Sequence, residues 1–122
     1  MPGASADGAP VALVTAASRG MGAAVARRLA AAGYQLALMS RSDDVLALAD
    51  DLGGLGHTGN VAEADDLEAF VGRALGAYGR VDVAVCNTGH PPKGDLLAIP
   101  DADWHAGLDL AFLNVVRAVR RP

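Results

Sequence analysis

Residues 15–22, Thr15-Ala16-Ala17-Ser18-Arg19-Gly20-Met21-Gly22, are of the types that let a backbone close on a phosphate. Gly20 and Gly22 allow close approach, while Ala16 stands where a third glycine would complete a Gly-x-x-x-Gly-x-Gly turn. Such a loop binds an anion when it leaves a strand and opens a helix, because the first helical N–H groups and the helix dipole then point at the ligand. The flanks supply that setting: PVALVT (10–15) is a short apolar run, and Met21, Val25 and Leu29 recur every four residues after the loop. No Gly-Lys-Ser/Thr ending follows, so the loop is not a P-loop. A methyl group at position 16 costs little if φ there is negative, and about 1 kcal/mol or more if it is positive.

Other polar residues extend the chemistry. An acidic residue closing the second strand would accept bonds from an adenosine ribose, but Ser40-Arg41 stands there, with Arg19 in the first loop. Two guanidinium groups and a hydroxyl suit a 2′-phosphate, which favours NADP(H) over NAD(H). His57, His90 and His105 fall on different elements without metal-ligand spacing, so no metal is expected. Cys86 reads as a small buried strand residue rather than a nucleophile. Asp101, Asp103 and Asp109 read as helix-start charges, and Arg117, Arg120 and Arg121 as cations at a helix C-terminus.

The elements that must position these residues alternate. Strands are expected at 10–15, 35–40, 55–60 and 81–87, and helices at 20–32, 43–52, 63–78 and from Asp101 or Asp103 to the C-terminus. Gly33, Gly53-Gly54 and Gly79 stop the first three helices, and Ser42 can cap the second. Leu67, Phe70, Val71, Ala74, Leu75 and Tyr78 mark the buried side of the third. The order βαβαβαβα predicts an α/β fold: a Rossmann-type, doubly wound parallel sheet of strand order 3-2-1-4, with ligands held where that order reverses.

At 122 residues, 52% of them apolar, the chain has room for one domain with a real core, expected over 10–122. Residues 1–9 read as a disordered leader; MPGASADGAP has neither the basic start nor the apolar run of a signal peptide. A net charge of -4 with a single lysine, Lys93, argues against nucleic acid. No apolar run is long enough for a membrane span, and a cytoplasmic protein is expected. Single Cys86 leaves no internal disulfide and agrees with a reducing compartment.

Three motifs, in order and suitably spaced, carry a resemblance. Residues 15–22 resemble the Thr-Gly-x-x-x-Gly-x-Gly loop of the short-chain dehydrogenase/reductase family, in its compact single-domain branch. Asn60-Val61 is similar to the family's Asp-Val pair, which holds the adenine, and Asn87-Thr88-Gly89 to its Asn-x-Ala-Gly motif after strand four. The resemblance implies cofactor contacts from Thr15, Ala16, Ser18, Arg19, Gly20, Met21, Gly22, Ser40, Arg41, Asn60, Val61, Asn87, Thr88 and Gly89. It also implies hydride transfer between a small-molecule ketone and an alcohol.

In the family that chemistry is done by a Ser, a Tyr and a Lys, with Tyr-x-x-x-Lys spacing, on elements corresponding to positions beyond residue 122. Tyr34 and Tyr78 are followed four residues on by Leu38 and Asp82, so both read as helix-end packing and no catalytic residue is assigned. The family's helix Asn falls at Ala111; Asn114, a turn further, is expected at the surface or an interface. NTGHPPKGD (87–95) marks a divergent branch, and His90 stands near the expected nicotinamide edge. Three readings follow: the cofactor-binding half of an NADP(H)-dependent reductase, a catalytically silent dinucleotide-binding module, or an assembly protein. Trp104, Leu108, Phe112, Val115 and Val119 make one apolar stripe on the last helix while Leu110, Leu113 and Val116 face elsewhere, which predicts a homo-oligomer through 101–121.

Overall fold

Val11–Thr15 (β1) and Gln35–Ser40 (β2) are buried along their whole length, as strands covered on both faces must be. In the computed structural model, which describes residues 8–89 and 92–120, they lie at the centre of a four-stranded parallel sheet. Leu55–Thr58 (β3) pairs with β2 and Val83–Val85 (β4) with β1, so the order is β3-β2-β1-β4, as the alternation implies. Gly20–Ala31 (α1), Asp44–Leu52 (α2) and Ala64–Tyr78 (α3) are the crossovers. The Ser42 hydroxyl accepts the Asp44 N–H at 3.2 Å, the expected cap of α2.

Alternation along the strands divides the core in two. Ala12, Val14, Leu36 and Leu38 face α1 and α2, where Ala23, Ala26, Val45 and Leu48 meet them. Leu13, Ala37 and Met39 face the other way, onto Val61, Leu67, Phe70, Val71 and Ala74. Small residues on α1 let it sit close to the sheet, and that closeness brings its first turn over the end of β1. Tyr34 and Tyr78 do pack at helix ends, and the Tyr78 hydroxyl donates to the Leu36 carbonyl at 2.8 Å.

Three elements depart from expectation. β3 ends at Thr58, because Asn60 and Asp66 draw the next residues into a turn. β4 is only three residues long: at its start the Asp82 carboxylate takes the Val11 N–H at 2.8 Å, and past its end Asn87 turns back onto Thr15. The last helix is not uniform: Asp101–Leu108 (α4) passes through a π-helical turn, Asp109–Leu113, into Asn114–Val119 (α5).

Leu110 and Ala118 pack on the second core cluster, and Asn114 between them in sequence is fully buried, not at the surface or an interface as expected. Neither end of its amide meets a partner among the described residues. The stripe of Trp104, Leu108, Phe112 and Val115 faces outward; the Val119 side chain lies outside the described residues. Also outside them are residues 1–7, which hold most of the expected leader, and His90, Pro91, Arg121 and Pro122. No helix among the described residues is long and apolar enough to cross a membrane.

Candidate functional site

The crevice where strand order reverses lies between β1 and β4, and two loops meet there. Thr15 and Asn87 lock them together. The Thr15 hydroxyl donates to the Asn87 carbonyl at 2.6 Å, and the Asn87 N–H returns a bond to Thr15 Oγ1 at 2.9 Å. Asn87 Nδ2 donates to the Ala16 carbonyl at 3.3 Å. On the other flank the Ala17 N–H is bound by the Met39 carbonyl at 3.1 Å, and the Ala17 side chain is buried. The loop is therefore held from β2 and from β4.

Ala16 takes φ +50, the one non-glycine in the left-handed region among the described residues. An L-residue there carries strain of about 1–2 kcal/mol. The conformation turns the Ala16 carbonyl toward Asn87 and the first turn of α1. A Cβ built on Gly22 would stand 2.2 Å from that carbonyl oxygen and 2.9 Å from Asn87 Nδ2, so only glycine fits. Gly20 itself has φ +60. A Cβ built on Gly20 would meet nothing within 4 Å, so the helix N-terminus stays open as a candidate cradle.

The cradle's electrostatics suit an anion. Arg19, in extended conformation, precedes α1 and makes no side-chain cap, and no acidic residue lies in the first turn. The first helical N–H groups, those of Gly20, Met21 and Gly22, have no partner within the helix, and the Ala23 N–H is the first to be bonded, to the Arg19 carbonyl at 3.3 Å. Arg19, Gly20 and Met21 are exposed, and Ser18 is half-buried. A dinucleotide pyrophosphate fits these donors, and the residues present agree with such a group.

The other candidate residues are placed around the same carboxyl ends of the strands. Ser40 is buried, its hydroxyl accepting the Ser42 N–H at 3.1 Å, while Arg41 next to it is exposed. The Asn60 side chain accepts the Ala62 N–H at 2.9 Å, and the Asn60 backbone N–H is held by Asp66 Oδ2 at 2.9 Å. The Val61 side chain is buried in the core, leaving only its backbone for a ligand. Thr88 and Gly89 follow Asn87, and the Thr88 hydroxyl is buried without a partner among the described residues.

Burial raises the Cys86 thiol above its ordinary pKa, so the thiolate that a nucleophile needs is disfavoured. No cluster of metal-ligating side chains occurs among the described residues. Two residues have roles that their sequence positions do not reveal. Asp109 opens the π turn and pairs with Arg117 at 3.0 Å, so it is not a simple helix-start charge. Arg117 is not merely a C-terminal cation, because it also reaches the Ala62 carbonyl at 3.2 Å. That contact joins residues 55 positions apart, and no local pattern announces it.

Comparison with known proteins agrees with this geometry. The chain is 38% identical over 116 residues to the oxidoreductase UcpA of Salmonella typhimurium, a match that covers 88% of this chain and 44% of UcpA. Among solved structures, the actinorhodin polyketide ketoreductase with NADPH superposes with a TM-score of 0.87 at 30% identity, covering 97% of this chain and 47% of that one. A short chain dehydrogenase from Burkholderia cenocepacia in complex with NADP gives a TM-score of 0.85 at 28% identity, covering 92% and 49%. The chain thus spans less than half the length of these proteins. The profile of the short chain dehydrogenase family matches residues 10–121, and with the strand order and the glycine loop already in place, the chain belongs to that family.

Proposed function

We propose that this chain is the cofactor-binding half of an NADP(H)-dependent oxidoreductase that moves a hydride between a small-molecule ketone and the corresponding alcohol. The observation that carries the reading is the joined loop: Thr15, Ala16, Gly22 and Asn87 converge where a pyrophosphate would meet the N-terminus of α1. When bound, the cofactor supplies or accepts the hydride. The chain's own residues bind and orient it. Ser18, Arg19, Gly20, Met21 and Gly22 offer the cradle to the pyrophosphate, and Thr15 and Asn87 hold its shape.

Arg41 and Arg19, both exposed, with Ser40 beneath, supply positive charge for a 2′-phosphate; the NADPH and NADP bound to two of the similar structures support that choice. Asn60 and the Val61 backbone would border the adenine, and Thr88 and Gly89 the opposite end. We further propose that the protein works in the cytoplasm as a homo-oligomer joined through the last helix.

Titration of the chain with NADPH and NADH, followed by fluorescence or calorimetry, tests the reading. Saturable binding with NADPH the tighter ligand is expected. No binding at about millimolar cofactor, an affinity of about 4 kcal/mol, overturns it.

A further inference from the structure

Between β3 and α3 the chain makes a turn whose polar groups are bonded in succession. Asp66 Oδ2 holds the Asn60 N–H, Asn60 Oδ1 holds the Ala62 N–H, and the Asn60 carbonyl accepts the Glu63 N–H, all at 2.9 Å. The Val61 side chain anchors the turn from below in the second core cluster. These bonds all lie within the turn and the first turn of α3. The Ala62 carbonyl is different, because its partner comes from the last helix: Arg117 Nη1 at 3.2 Å.

The same guanidinium is fixed at its other end, with Nη2 on Asp109 Oδ1 at 3.0 Å. Its side chain is 24% exposed. An arginine held at two nitrogens has little rotational freedom, so its remaining bond defines a position rather than a mere attraction. Ala118, next in sequence, packs on the core cluster that contains Val61.

We propose that Arg117 is a positioning residue for the adenosine end of the cofactor, holding the Asn60–Ala62 turn in register with the last helix. The inference rests on the cofactor reading above, in which that turn borders the adenine. Arg117 touches no ligand itself. Its loss frees the Ala62 carbonyl and lets the turn move, and that weakens ligands which carry adenosine. Ligands of the nicotinamide end are unaffected.

The test compares the parent chain with Arg117→Met, Arg117→Lys and Asp109→Asn in titrations with NADPH, 2′,5′-ADP and reduced nicotinamide mononucleotide. Arg117→Met is expected to weaken NADPH and 2′,5′-ADP equally, by up to about tenfold, since the loss passed on to the ligand cannot exceed that of the one charge-assisted hydrogen bond that positions the turn. The mononucleotide should bind all four proteins alike. Arg117→Lys should restore part of the loss, and Asp109→Asn should show a smaller loss in the same direction. Amide exchange supplies a readout without ligand: residues 60–63 should exchange faster in Arg117→Met, while β1 amides stay protected.

Unchanged 2′,5′-ADP binding, or unchanged exchange at 60–63, in a variant that keeps the parent's circular dichroism overturns the inference. A variant that loses that spectrum hands the decision to Asp109→Asn, where unchanged 2′,5′-ADP affinity overturns it equally. A parent that binds none of the three ligands instead overturns the cofactor reading; unchanged exchange would then refute the positioning of the turn as well.

Discussion

At the scale of single residues, the first loop carries a strain that can be removed. Ala16 sits at φ +50, where a glycine would bear no penalty. Ala16→Gly should raise stability by about 1 kcal/mol, visible as a higher Tm, and should tighten NADPH binding because the loop closes without strain. A Tm equal to or below the parent's would show that greater freedom of the unfolded glycine chain outweighs the relieved strain. Arg41→Asp replaces a cation by the acid that suits a ribose hydroxyl, so the preference of NADPH over NADH should fall or invert. An unchanged ratio of the two affinities refutes the 2′-phosphate assignment. Glycine spacing made the loop legible in the sequence, but not the sign of φ at Ala16. That sign depends on how Asn87, 71 residues away, receives the Ala16 carbonyl.

At the scale of elements, β3 depends on a neutral histidine. Arg73 Nη1 donates to the Gly56 carbonyl at 3.0 Å and meets His57 Nδ1 at 2.9 Å. Arginine is always protonated, so Nδ1 must accept and the ring carries its proton on Nε2. Burial first, then the Arg73 charge, pushes the His57 pKa below its ordinary 6.5, against a smaller opposing pull from Asp66. A depressed folded-state pKa contributes stability above the unfolded value, lost as pH falls through the folded one. Tm should therefore drop as pH falls below about 6.5, and His57→Asn, which keeps an acceptor that does not titrate, should flatten the drop. Equal slopes for the two proteins would place the titrating group elsewhere. Asp82, held below the usual carboxylate range by its bond to Arg80 and then by the Val11 N–H, titrates below that window. Strand order and the first three helices were legible because each has its own period and its own glycine stop. The last helix was not: its inward line is Leu110, Asn114 and Ala118, with a polar residue at its centre, while the apolar stripe is exposed.

At the scale of the whole molecule, the 122 residues hold a place for a dinucleotide and no tyrosine with lysine four residues on. The purified chain should consequently bind cofactor and reduce no simple ketone, since these residues carry no Tyr-x-x-x-Lys pair to supply a tuned acid; measurable turnover would require a different acid, with His90 the first to test. Association follows from what the last helix exposes. The last helix turns Trp104, Leu108, Phe112 and Val115 to solvent, at 44%, 51%, 60% and 37% exposure, because its inward side is already taken by Leu110, Asn114 and Ala118. Four large apolar side chains along one helix are more than a monomer ordinarily leaves bare, and a helix face paired with its own copy buries them symmetrically. A stable interface needs about 800 Å² from each partner, which this face can largely supply. Sedimentation at about micromolar concentration should then show a dimer or larger species. Phe112→Lys with Leu108→Glu should shift it to monomer at little cost in Tm, because neither side chain belongs to the core. A parent chain that sediments as a well-folded monomer, or a double variant that associates just as tightly, would refute the helix as the joining surface.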